Sequence, residues 1–161
     1  MLKTPDNEMW PLVRALCCEK KNKFADAIAC YAEAKHKGVG DDVTEPRVAL
    51  CYMMLGDYKR SIEHYNSAIA ADSTDHSLLL QLANAYDLMG DEKNAMAMAD
   101  KYIKAEPGDA DGYSSRASWR FYNKDYKGAL DDCNTALAID PDNAEAMVRR
   151  MRINQVLGND A

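Results

Sequence analysis

The 161 residues lack any apolar run approaching the roughly 20 needed to cross a bilayer; the best stretches, such as VALCYMML at 48–55, are short and interrupted. No spanning segment is expected. The amino end, MLKTPDNEMWPLV, has one early lysine and then turns acidic without an apolar secretory stretch, so the expected location is cytoplasmic. Eight glycines and five prolines are too few for a collagenous chain, and 47% hydrophobic residues are too many for a disordered one. Cysteine is present as Cys17, Cys18, Cys30, Cys51 and Cys133, an odd number without disulfide or zinc spacing. Each is expected to act as a small buried apolar residue in a reducing compartment. An excess of positive charge is also missing. The net charge of −6 repels nucleic acid and anionic lipid, so neither a nucleic acid nor a membrane is the expected partner.

Reactive constellations are scarce as well. There is no Walker loop, no Gly-x-Gly-x-x-Gly and no metal-spaced histidine or cysteine cluster. His36, His64 and His76 do not converge by helical spacing, and the adjacent Asp131 and Asp132 read as a solvated helix face. No catalytic residue, metal ligand or cofactor is expected, and the chain is not expected to be an enzyme.

What the sequence has is repetition. GDYKRSIEHYNSAIAADS at 56–73 is echoed by KDYKGALDDCNTALAIDP at 124–141, and a 34-residue step runs unbroken between and beyond them. From Ala15 the step reaches Ala49, Ala83 and Ala117. From Ala27 it reaches Ser61, Ala95 and Ala129, and from Ala34 it reaches Ala68, Tyr102 and Ala136. Small residues at fixed spacing mark places where helices approach closely. A second set, Asp41, Asp75, Asp109 and Asn143 with Asp57, Asp91, Asp125 and Asn159, suits helix N-caps, whose side-chain oxygens accept the unpaired amides of a first turn. Between the caps, apolar residues recur at helical spacing, as in Leu78, Leu79, Leu82, Ala83 and Tyr86, and no segment sustains strand alternation. Each unit therefore predicts two antiparallel helices of about 12–14 residues joined by a tight turn at Gly56 or Gly90, with Pro107 and Pro141 stopping the second helices.

The pattern resembles the tetratricopeptide repeat family over residues 8 to about 158. Unit 76–109 carries Leu79, Leu82, Ala83, Tyr86, Ala95 and Pro107; unit 110–143 carries Tyr113, Ala117, Ala129, Ala136 and Pro141, with Arg116 and Arg120 replacing the usual leucine and tyrosine. Unit 8–41 departs furthest, holding Pro11, Arg14 and Cys18 in its first-helix slots, and unit 42–75 completes the set. The resemblance implies an all-α superhelix of four helix-turn-helix units plus a capping helix at about 144–157, forming a single domain across 1–161. Arg150 and Asn154 would solvate the stack's end; the alternative is that residue 161 falls inside a fifth unit. Arg116 and Arg120 are expected to lay their stems along the core and send their charge to the surface.

The resemblance also implies a concave groove lined by the first helices. Carrying over its slots gives Leu12 and Leu16 from the first unit, Arg47, Leu50, Met53 and Met54 from the second, and Leu80, Asn84 and Leu88 from the third. Phe121 and Tyr122 follow from the fourth, and Arg149 and Arg152 from the last helix. One family subgroup grips acidic chaperone tails with lysine, asparagine, asparagine, lysine and arginine. The best-matching slots here hold Leu80, Asn84, Ser115, Glu145 and Arg149, of which only Asn84 and Arg149 agree, so heat-shock tail binding is not expected.

The leading expectation is a non-catalytic module that holds a peptide segment of a partner protein, adaptor or co-chaperone-like. The alternatives are a structural array that self-associates into a homo-oligomer through its apolar amino end, and nucleic-acid binding through Arg116, Arg120, Arg149, Arg150 and Arg152. Acidic Asp111, Asp140, Asp142 and Glu145 weaken that last cluster.

Overall fold

The computed structural model describes residues 8–158, save the side chains of 41 and 42. Among the described residues it contains nine α-helices and no strand, as expected for an all-α repeat fold. In order they are α1 (Trp10–Lys20), α2 (Phe24–His36), α3 (Asp41–Met54), α4 (Tyr58–Ala71), α5 (Ser77–Met89), α6 (Glu92–Ala105), α7 (Ala110–Tyr122), α8 (Tyr126–Ile139) and α9 (Ala144–Leu157).

The helix starts follow from the caps. Asp57, Asp91, Asp109, Asp125 and Asn143 each accept a hydrogen bond from a backbone amide of the first turn, at 3.2, 3.1, 2.9, 3.0 and 2.9 Å. Asp75 accepts from the amide of Ser77, the first residue of α5, at 3.1 Å. Asp41 departs from expectation: it is the first residue of α3, and Gly40, left-handed at φ 71°, stands in the cap position. The left-handed glycine turns the chain sharply enough for the helix to begin one residue early. Asn159 lies outside the described residues.

The turns inside the hairpins obey the same step. Gly56 and Gly90 have φ of 77° and 83°, the left-handed conformation that ends a helix, and the equivalent positions hold Asn22 at 56° and Lys124 at 64°. The two glycines announce their turns in the sequence, whereas asparagine and lysine carry no obligatory turn signal and do not.

The chain forms two compact units, Met1–Leu78 and Leu79–Ala161. In the first, α1 packs on α2, α2 on α3 and α3 on α4. Its core gathers Ala15, Ala27, Cys30, Tyr31, Val48 and Cys51. In the second, Ala83 of α5, Ala99 of α6 and Trp119 of α7 form one cluster, and Ala117, Ala129, Cys133 and Ile153 join α7, α8 and α9. Every small residue of the 34-residue ladders is buried, and Ala15, Ala49, Ala83 and Ala117 are wholly so. Helices meet most closely where no side chain beyond a methyl intervenes.

Two readings need correction. Cys17 is exposed, whereas Cys30, Cys51 and Cys133 are buried and Cys18 half-buried. Neighbours on a helix point in different directions, so an adjacent pair does not share the core face. Asp132 is also not solvated: it is buried on α8, and the guanidiniums of Arg116 and Arg120 turn inward to it instead of reaching for water. Arg116 donates to both its oxygens, at 2.9 and 2.7 Å, and Arg120 donates at 3.0 Å. A buried carboxylate persists only when paired in this way.

Candidate functional site

In the second unit, three helices present one face each to an open cavity of about 500 Å³. From α5 come Leu80, Gln81, Asn84 and Asp87, spaced so that they stand along one side of the helix. From α7 come Asp111, Ser115, Ser118, Trp119 and Tyr122 on the same principle, and α9 contributes Glu145 and Arg149 one turn apart. Helices α5 and α7 are the first helices of their hairpins, and α9 is the closing helix.

The wall has one cation, and it is engaged. Arg149 donates from Nε to Ser118 Oγ at 3.1 Å, and its guanidinium carbon lies 5.1 Å from the Phe121 ring centre and 5.0 Å from that of Tyr122. Its Nη1 is buried without a hydrogen-bond partner. Three carboxylates, Asp87, Asp111 and Glu145, share the wall with it. Ser118 donates to Glu145 at 2.8 Å, Asn143 donates to Asp111 at 3.2 Å, and the Trp119 side chain bonds Asp87. Burial, with the nearby charge of Glu92, pushes the Asp87 carboxyl above its ordinary value against the pull of that Trp119 bond.

Four of the residues chosen from the sequence, Leu80, Asn84, Tyr122 and Arg149, line this cavity. Phe121 sits behind Arg149 and packs on the Ala117 cluster. Leu88 and Arg152 are exposed and stand apart from the cavity wall. Asp87 and Trp119 were missed, although Asp87 falls three residues after Asn84 on the same helical side. Asp111 and Glu145 figured in the sequence only as acidic neighbours and clamp mismatches.

The first unit distributes its candidates differently. Leu12, Leu16 and Leu50 are half-buried, Met53 is buried and Met54 is exposed, while Arg47 pairs with Glu19 at 2.9 Å. None of them lines the small cavity of about 170 Å³ in this unit, whose walls include Ile28, Tyr31, Val48 and Tyr52. There Glu45 is held by Lys35 and by His64 Nδ1, the latter at 2.7 Å, and the His64 ring stacks on Tyr52 with centres 5.3 Å apart.

The arginine cluster suggested as a nucleic-acid contact is largely spent within the protein. Arg116 and Arg120 converge on Asp132, with Asp100 2.6 Å from Arg116 and Asp125 3.7 Å from Arg120.

The family model for the tetratricopeptide repeat matches residues 52–118. That segment, 67 of the 161 residues, carries the tetratricopeptide repeat. Among curated proteins, this repeat chain is 29% identical over 90 residues to the Hsp70-Hsp90 organizing protein of Triticum aestivum, covering 56% of this chain and 16% of that protein. It is 27% identical over 150 residues to RNA polymerase II-associated protein 3 of Mus musculus, covering 86% and 22%. The chain thus spans about a fifth or less of these relatives. Among solved structures, the first tetratricopeptide domain of Spaghetti (RPAP3) bound to HSP90 peptide SRMEEVD superposes with TM-score 0.65 at 23% identity, covering 73% of this chain and 93% of that one. The MamA crystal structure gives 0.77 at 16% identity, covering 96% and 85%. These likenesses show the all-α repeat fold. Among the described residues, no helix of this repeat protein is long and apolar enough to cross a membrane.

Proposed function

We propose that this chain is a non-catalytic, cytoplasmic adaptor or scaffold, co-chaperone-like, that holds a short peptide segment of another protein. The observation that carries the reading is the open cavity of the second unit, where Leu80, Asn84, Tyr122 and Arg149 converge from three helices. It offers a largely polar wall, with Leu80, Trp119 and Tyr122 as its apolar part, in a concave site of the kind that takes a ligand segment. The peptides in the RPAP3 structures, SRMEEVD of HSP90 and SGPTIEEVD of HSP70, support peptide holding as the use of such a surface. All five positions that correspond to the chaperone-tail clamp line the cavity, but they hold Leu80, Asn84, Ser115, Glu145 and Arg149. Peptide holding is therefore the shared feature, and the partner differs. In the first unit, taken by itself, Leu12, Leu16, Arg47, Leu50, Met53 and Met54 are proposed as peptide-contacting residues, and in the second Leu88, Phe121 and Arg152 as peripheral members of its site. On this reading the four repeats and closing helix act as one domain.

Selection of a displayed peptide library on the immobilised chain tests the site. Peptides so recovered should lose binding to an Asn84→Ala, Tyr122→Ala double variant of unchanged helicity. Tyr122 is 65% exposed, so its truncation spares the core. Equal binding by the variant would falsify the assignment.

Exposed Met9, Trp10 and Val13 on and beside α1 favour one second reading, self-association through the amino end. Light scattering across a wide dilution tests it, and a constant monomer mass removes it.

A further inference from the structure

The cavity between α5, α7 and α9 has a marked imbalance of charge, and we propose that it selects a basic partner segment, seating a lysine or arginine side chain among Asp87, Asp111 and Glu145. The inference rests on the peptide-holding reading and specifies the chemistry of its partner.

The wall holds three carboxylates and one guanidinium, which leaves two negative charges unmatched. The carboxylates meet neutral donors: an indole for Asp87, an amide for Asp111 and a hydroxyl for Glu145. A carboxylate has room for several further donors, and an ammonium or guanidinium supplies them with the charge that amides and hydroxyls lack. The one resident cation is turned to other work. Arg149 lies against two aromatic rings, bonds Ser118 through Nε and has Nη1 sealed from solvent, so it is poorly placed to greet an incoming anion. A peptide ending in clustered carboxylates would bring like charge against like, a juxtaposition that opposes binding. A lysine or arginine also brings an aliphatic stem, and Leu80 with the largely exposed Tyr122 gives that stem apolar surface to lie on.

Fluorescence anisotropy on the whole chain tests this with three fluorescein-labelled heptapeptides, Gly-Ser-Lys-Leu-Lys-Ser-Gly and the forms with glutamine or glutamate replacing lysine. The lysine peptide is expected to bind at least about tenfold tighter than the glutamate one. Its binding should weaken as salt is added, and fall about tenfold in an Asp111→Asn, Glu145→Gln double variant. Glu145→Lys should narrow or reverse the preference, and circular dichroism checks that each variant remains helical. A glutamate peptide held as tightly as the lysine one overturns the charge selection while leaving peptide holding intact. So does a lysine peptide indifferent to the variants in wild-type-like helices. If none of the three binds, the basic-segment inference fails, and peptide holding then stands or falls by the library selection.

Discussion

Replacing Asp132 with alanine should be among the most damaging surface-neutral-looking changes in this chain. Its side chain is 4% exposed, and it anchors two guanidiniums that are themselves 16% and 26% exposed. The substitution removes three charged hydrogen bonds, each worth about 1.5–3 kcal/mol, and strands two partly buried cations. Asp100 keeps a hold on Arg116 and Asp125 a looser one on Arg120, so the three bonds do not simply add. The general cost of breaking a buried ion pair from one side, about 3–5 kcal/mol, is the better figure. In a chain of this length that corresponds to a fall of roughly 6–20 °C in Tm. Asp131→Ala, one residue earlier and exposed, is the internal control and should stay within about 0.5 kcal/mol of wild type. Urea and thermal unfolding followed by circular dichroism compare the two. A difference between them below about 1 kcal/mol would refute the claim that the buried carboxylate organises α7 and α8.

Three other outcomes are expected. Lys124→Gly should stabilise the protein by about 0.5–1 kcal/mol, because relief of a left-handed non-glycine residue exceeds glycine's entropic cost; a lower urea midpoint would count against strain at φ 64°. Gly112→Ala should destabilise despite alanine's better helix propensity of about 1 kcal/mol. The new methyl would lie 2.7 Å from the ring of Tyr102, which is itself held by Asp109, and an increased thermal midpoint would contradict this packing. Glu45→Gln should show its effect through pH. Burial disfavours the Glu45 charge, but hydrogen bonds from Lys35 and His64 outweigh it and hold the carboxyl below its ordinary 4.5. A depressed carboxylate lends stability that is complete above the unfolded value and lost as pH falls through the folded one. The gap between wild type and variant should therefore close on acidification, and a pH-independent gap would sink the argument.

The architecture was legible because repetition converts weak local signals into a register. Ala15, Ala49, Ala83 and Ala117 each say little alone, yet a constant step makes them a ladder, and each proves wholly buried. The site was legible only where a residue's helical slot fixes its direction, as for Leu80, Asn84, Tyr122 and Arg149. Charge was the blind spot. An aspartate's type does not tell whether it meets water, an indole or two guanidiniums, so Asp87 went unnoticed and Asp132 was assigned to solvent. Partners drawn from other helices decide such cases. Lys124 and Asn22 show the same limit in the backbone, since only their φ reveals that they do glycine's job.

The distribution of sulfur gives the two units separate clocks. Cys17 offers its thiol to solvent, whereas Cys51 belongs to the first unit and Cys133 to the second, both sealed. Burial, with the neighbouring Glu19 charge for Cys51, raises these thiols to about 12 and about 11, so they resist alkylation while their helices stay closed. After a maleimide has blocked Cys17, the slow reaction of the remaining sulfurs, read by mass spectrometry of each peptide, times the opening of one half independently of the other. Coincident rates would mark the two halves opening together; divergent ones would reveal which half yields first.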